Sequence, residues 1–236
     1  DPNQGVASAD YIADNKVATK VAVIYDSSNA YSSGIYEKFN AEAKAKGLEI
    51  VSAQSFTADS NKDFSAQLQA IKSSGAELVF LPIYYSEASL ILQQAKNIAL
   101  NVKYFGCDGL DGILTMPNFD ASLAEGVMLL TPFAANATDE YTVNFVQKYS
   151  EKYGTDTMNQ FAADAYDAIY IIKTAMEKAG VTPDMSASDI CDAMKTAMTQ
   201  ITVDGVTGTG IHWSADGEPS KAPKAVIIKD GAYQAL

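Results

Sequence analysis

Apolar strand-like runs alternate with helical segments through the first half of this 236-residue chain, and that alternation restricts the fold more than any other feature. Lys20–Asp26 (KVAVIYD) is a nearly unbroken apolar run, the pattern of a strand covered on both faces. Residues 31–46 then place Ile35, Phe39 and Ala43 on one helical stripe, with Gly47 as the stop. The alternation continues with a strand at 48–55, a helix at 63–74 carrying Phe64, Leu68 and Ile71, and a strand at 78–83 (LVFLPI). A helix at 86–99, a strand at 102–107 and a fifth strand at 126–130 follow, and residues 1–16 read as a helix ahead of the first strand. Strands separated by such helices are βαβ units with right-handed crossovers. The expected architecture is therefore α/β, a three-layer doubly wound parallel sheet with helices on both faces.

After Thr131-Pro132 the pattern changes. Residues 139–153, 158–179 and 186–200 read as three helices with no strand between them. Short strand signals follow at 210–213 and 225–229, separated by the turn-rich run 214–219. Three amphipathic helices and a few short strands do not make an α/β layer. Either they pack on the first sheet, or their own sheet is encoded upstream. Left uncovered, their apolar faces would form a larger patch than a monomer usually exposes, so these helices would pack unusually, move, or associate with another copy.

Charge and composition narrow the function. The net charge of −12 repels nucleic acid, so no nucleic-acid partner is expected. All 17 basic residues are Lys, which removes the guanidinium fork as a means of gripping a carboxylate or phosphate. An anionic ligand group would be held by backbone N–H groups, hydroxyls or Lys. Cys107 and Cys191 are too few and too widely spaced for a disulfide framework or a zinc site, and read as buried thiols or a single bridge. His212 is the only histidine, which leaves no His pair for a metal and little material for triad chemistry. No metal, cofactor or catalytic residue is expected. No stretch approaches the roughly 20 apolar residues of a membrane span. Asp1-Pro2-Asn3-Gln4 has no leader character, so the chain reads as a mature or trimmed form.

The loop after the first strand, residues 26–34, matches neither a dinucleotide fingerprint nor a P-loop. Ligands in open α/β sheets sit at the carboxyl ends of strands. Three segments fall there: residues 27–33, Tyr84-Tyr85 and Asp108. Singly each is ordinary loop chemistry. Together they offer one carboxylate among aromatic rings, a combination able to hold an ammonium by charge and by cation–π contact. Tyr141, Tyr149 and Tyr153 read as packing, as do Met185, Met194 and Met198, and Trp213 reads as structural. Asn136-Ala137-Thr138 fits a glycosylation pattern that arises often by chance. A flavodoxin-like carrier or a receiver domain would share the first-half pattern. However, Asp26 and Asp108 alone do not make a receiver's acidic cluster, and the three-helix extension fits neither.

Several runs resemble one family. Residues 1–109 are similar to the second lobe of type I periplasmic binding proteins of the branched-chain amino acid (Leu/Ile/Val) family. The matching runs are DPNQG, VAVIYDSSNAYSSG, KDFSAQLQAIK, LVFLPIYYSEASLILQQAK and YFGCDG, with FAADAYDAIYIIKTAMEKAG and GVTGTGIHW further on, all in order. The resemblance implies two α/β lobes that close on a ligand. It assigns residues 1–131 and a final strand near 224–236 to the second lobe. Residues 132–223 become part of a first lobe whose N-terminal sheet this chain lacks. It implies ligand-binding roles for Tyr31 and Tyr84, and for Asp108 as the acidic partner of the ligand's α-ammonium, with Asp in place of Glu shortening the reach by one methylene. The implied function is an extracytoplasmic solute-binding protein, periplasmic or at the cell surface, with any lipid anchor upstream. It would pass a small amino acid to the membrane permease of an ABC importer. A ligand-sensing ectodomain of a receptor or regulator would use the same fold.

Overall fold

The computed structural model describes residues 2–236. Asp1, the first residue of the expected leading helix, lies outside them. Contacts divide the chain into two compact units, one comprising residues up to Thr131 together with Pro223–Leu236, the other Pro132–Ala222.

In the first unit the helix α1 (Asn3–Asp14) precedes β1 (Lys20–Asp26), α2 (Ala30–Ala45), β2 (Glu49–Phe56), α3 (Ser65–Ser74) and β3 (Leu78–Leu81). These are followed by α4 (Tyr85–Asn97), β4 (Lys103–Gly106) and β5 (Met128–Thr131). Val21 to Ile24 and Leu78 to Leu81 are wholly buried, because side chains alternate between two covered faces. Val21, Val23, Leu78, Phe80 and Phe105 meet Ile12, Ile35, Phe39 and Ala43 of α1 and α2. Phe39 stacks on Phe80 at 4.1 Å between ring centroids, forming the centre of this layer. Ala22 and Ile24 point the other way, toward α3 and α4, whose Leu68, Ile71, Ile91 and Leu92 are buried. Gly5 lets α1 lie directly on α2, since a Cβ there would come 2.2 Å from the Ile35 carbonyl oxygen.

The second unit holds α5 (Glu140–Tyr153), α6 (Gln160–Ala179) and α7 (Ala187–Met198), then β6 (Val203–Gly205) and β7 (Gly208–Ile211). Phe133, Phe145, Ala163 and Val206 form one small core, and Ile171, Ala175 and Ile201 another, with Met194, Met198 and Trp213 packed against the second. The buried Asp167 of α6 ties the hairpin down by accepting from the Val206 and Thr207 amides (2.9 and 2.7 Å) and from Thr207 Oγ1 (2.7 Å). Much apolar surface stays exposed, including Val143, Phe161, Ile169 (67% exposed), Tyr170, Ile172 and Met176. Of the tyrosines expected to serve packing, Tyr149 does so, whereas Tyr141 and Tyr153 are exposed.

The chain returns to the first sheet through β8 (Lys224–Lys229) and β9 (Ala232–Ala235), giving the strand order β2-β1-β3-β4-β5-β8-β9. The first five strands are parallel, but β8 and β9 are antiparallel, so the sheet is mixed at this edge. Instead of one final strand there is a hairpin. Its turn is Asp230-Gly231, both in the left-handed region (φ 53° and 72°), the conformation a two-residue hairpin demands. The expected strand at 210–213 begins two residues earlier and pairs with β6, which the sequence did not announce. The expectation for the cysteines also changes. Both are free, Cys107 buried and Cys191 exposed, so there is no bridge and only one buried thiol.

Candidate functional site

The strand order reverses direction between β1 and β3, since β2 lies on one side of β1 while β3, β4 and β5 run off on the other. A helix on each face leaves a crevice at such a switch point, beyond the carboxyl ends of the strands. The structure brings Tyr31, Tyr84 and Asp108 together at that end.

Each arrives by a separate local device. Asn29 caps α2 by accepting from the Tyr31 amide at 2.9 Å, which places Tyr31 in the first turn beyond β1. Tyr84 is the residue at the N-terminal boundary of α4, just beyond β3. Asp108 follows β4 and opens the short 3-10 turn Asp108–Leu110. Tyr31 Oη donates to Asp108 Oδ1 at 2.6 Å and accepts from the Gly109 amide at 2.9 Å. The rings of Tyr31 and Tyr84 stack at 4.9 Å with planes 20° apart. From α1, Gln4 Oε1 accepts the Asp108 backbone N–H at 3.0 Å. Gly109 is required where it stands, because a Cβ would lie 2.7 Å from both Tyr31 Oη and the Ile83 carbonyl oxygen.

The protonation chemistry suits a fixed binding site. Burial, reinforced by Cys107 and Asp108, holds the Tyr31 hydroxyl well above the usual tyrosine range, so it stays a neutral donor. Burial and then Asp108 raise Tyr84 as well. Cys107 adjoins Asp108, but burial, and then the Asp108 charge, push its thiol up despite the opposing contact of Ser8 Oγ 3.6 Å from its sulfur, so it is not an activated nucleophile. Tyr31 is the only side chain hydrogen-bonded to the Asp108 carboxylate among the described residues, and it engages one oxygen. Oδ2 remains for a cation, with the half-exposed Tyr84 ring (39%) as a neighbouring wall.

Other residues of the strand-end segments are not available in this way. Ser32 Oγ accepts from the Asp26 amide, Ser33 Oγ donates to the Asn29 carbonyl, and Ser27 Oγ donates to the Phe56 carbonyl. Their hydroxyls shape the turn, and of residues 27–33 only Tyr31 reaches Asp108. Gln4 and Gly109 were missed as members of the cluster. Gly109 sits inside the GCDG run, where its need for space could have been suspected, but nothing marked Gln4.

A family model described as periplasmic binding protein matches residues 1–232. The chain belongs to the periplasmic binding protein family. Among its relatives is the Leu/Ile/Val-binding protein homolog 3 of Brucella melitensis, 32% identical over 188 residues, which cover 79% of this chain and 49% of that protein. Among solved structures, a leucine-binding protein from Thermotoga maritima is 26% identical with a TM-score of 0.85, covering 100% of this chain and 65% of its own. The branched-chain amino acid transporter substrate-binding protein of Streptococcus pneumoniae, in complex with isoleucine, is 25% identical with a TM-score of 0.82 and covers 98% and 63%. Measured against the Brucella relative, the chain spans about half the length of a family member.

Proposed function

We propose that this chain is the greater part of an extracytoplasmic solute-binding protein that captures a small amino acid, branched-chain or similar, for the permease of an ABC importer. The observation that carries the reading is the single carboxylate of Asp108, oriented by Tyr31 and flanked by stacked tyrosine rings at the switch point of the sheet. Asp108 takes the ligand's α-ammonium in a charge-assisted hydrogen bond, Tyr31 holds the carboxylate in position, and Tyr84 offers a ring face. The protein binds without turnover.

The same reading assigns residues 1–131 and 224–236 to one lobe, and 132–223 to a second lobe whose sheet lies in the rest of the protein. Two facts support it. The relatives are longer than this chain, and α5 and α6 leave an apolar face uncovered. A hollow of about 290 Å³ on that unit, lined by Tyr141, Tyr166, Tyr170 and Asp167, belongs to this uncovered face and not to the amino-acid site. In the isolated chain this face is where a second copy would associate.

Titration calorimetry on the full-length protein tests the reading. Leucine, isoleucine or valine is expected to bind at micromolar concentrations or tighter. The matching carboxylic acids without the amino group should bind at least ~100-fold more weakly, as when a desolvated charge pair loses one member. Equal affinity for both would remove Asp108 from the site.

A further inference from the structure

The segment after β4 continues beyond Asp108 in a way the ligand site does not by itself explain. The turn Asp108–Leu110 closes with the Asp111 amide donating to the Asp108 carbonyl at 2.9 Å. The chain then passes through Gly112 (φ 103°) into a second short turn, Ile113–Thr115. Leu110 and Ile113 are wholly buried beneath these turns, and Gly106 sits so close to Leu110 that a Cβ there would approach it to 2.3 Å. At the junction lies a carboxylate, Asp111, only 3% exposed. Burying it requires a partner.

That partner comes from the other end of the sequence. Tyr233 stands on β9, at the edge of the sheet. Its hydroxyl accepts from the Gly112 amide at 3.2 Å and lies beside the Asp111 carboxylate and the Leu114 amide. Burial and the Asp111 charge raise its pKa, so the hydroxyl remains a donor. One phenol thus meets Asp111 and Gly112 together, and Asp111 is hydrogen-bonded through its amide directly to the backbone of Asp108.

We propose that Tyr233 is a positioning residue for ligand binding: through Asp111 and Gly112 it pins the loop after β4 to the terminal hairpin and holds Asp108 in place. The inference rests on Asp108 being the ammonium partner. Tyr233 itself touches no ligand.

The test uses full-length protein, with isoleucine and its deaminated analogue as probes. Tyr233→Phe removes the hydroxyl and keeps the ring. Isoleucine affinity should fall about tenfold, a size common for residues that act at one remove. Affinity for the deaminated analogue, which makes no use of Asp108, should stay unchanged. Asp111→Asn retains an acceptor for Tyr233 and should bind isoleucine more tightly than Asp111→Ala. A merely structural role would weaken both probes alike, and that result would overturn the proposal. So would unchanged isoleucine binding in Tyr233→Phe alongside loss of binding in Asp108→Ala, which would leave the site reading intact. Full binding by Asp108→Ala would instead remove the site reading and the proposal with it.

Discussion

Asp108→Ala should all but abolish amino-acid binding by the full-length protein, with an affinity loss of about 2–5 kcal/mol, from tens-fold to several thousand-fold. The size follows from leaving the ligand's ammonium desolvated with no counter-charge. The substitution also takes the acceptor from the buried Tyr31 hydroxyl, bonded to Asp108 at 2.6 Å, which should destabilise the fold by about 1–3 kcal/mol. Asp108→Asn separates the two effects, since an amide oxygen still accepts from Tyr31 while the charge is gone. It should fold nearly as well as the parent and bind almost as poorly as Asp108→Ala. Calorimetry and thermal melts on the same samples distinguish them. An Asn variant that binds like the parent would mean that charge is not what holds the ligand.

The second large effect concerns stability. Asp167→Ala strips three donors, the Val206 and Thr207 amides and the Thr207 hydroxyl, of the carboxylate they bond to, in a site where that residue is 4% exposed. Bonds to an ionised group contribute more than neutral ones, and buried donors left without partners incur the full desolvation penalty. A loss of about 3 kcal/mol or more in urea unfolding is expected. It should be local. Amide exchange in β6, β7 and α6 should accelerate, while β1, β3 and β4 keep their protection. Uniform acceleration throughout the chain, or none, would contradict this anchoring role. Gly205 belongs to the same device, because a Cβ there would sit 2.6 Å from the Asp167 carboxylate.

Periodicity exposed the βαβ frame because each buried strand is a continuous apolar run and each helix carries one apolar stripe. The final hairpin is only half legible: Ala225 to Lys229 is an apolar run, whereas the half-exposed β9 is not, and the Asp230-Gly231 turn is the one local signal that joins them. β6 was hidden for a similar reason: three residues ending in Gly carry little strand preference. For the site, the rule that ligands lie at strand ends put Tyr31, Tyr84 and Asp108 among the candidates, and the family resemblance selected them from their neighbours. Their mutual contacts were beyond sequence reasoning. Tyr31 and Asp108 are 77 positions apart, Gln4 and Asp108 are 104, and only the sheet order makes them neighbours. Residues 27–33 stand among the strand-end candidates as a segment, and sequence records their serine hydroxyls but not the backbone groups those hydroxyls serve. Asp111 and Tyr233 had no signal at all, since a loop Asp and a strand Tyr are individually ordinary.

The most direct measurement is the structure of the full-length protein with isoleucine bound. The account expects the ligand's α-ammonium nitrogen about 2.7–2.9 Å from an Asp108 carboxylate oxygen, the range of a charge-assisted bond, with Tyr31 still bonded to the other oxygen. An ammonium held by a different residue, with Asp108 turned away from the ligand, would contradict it.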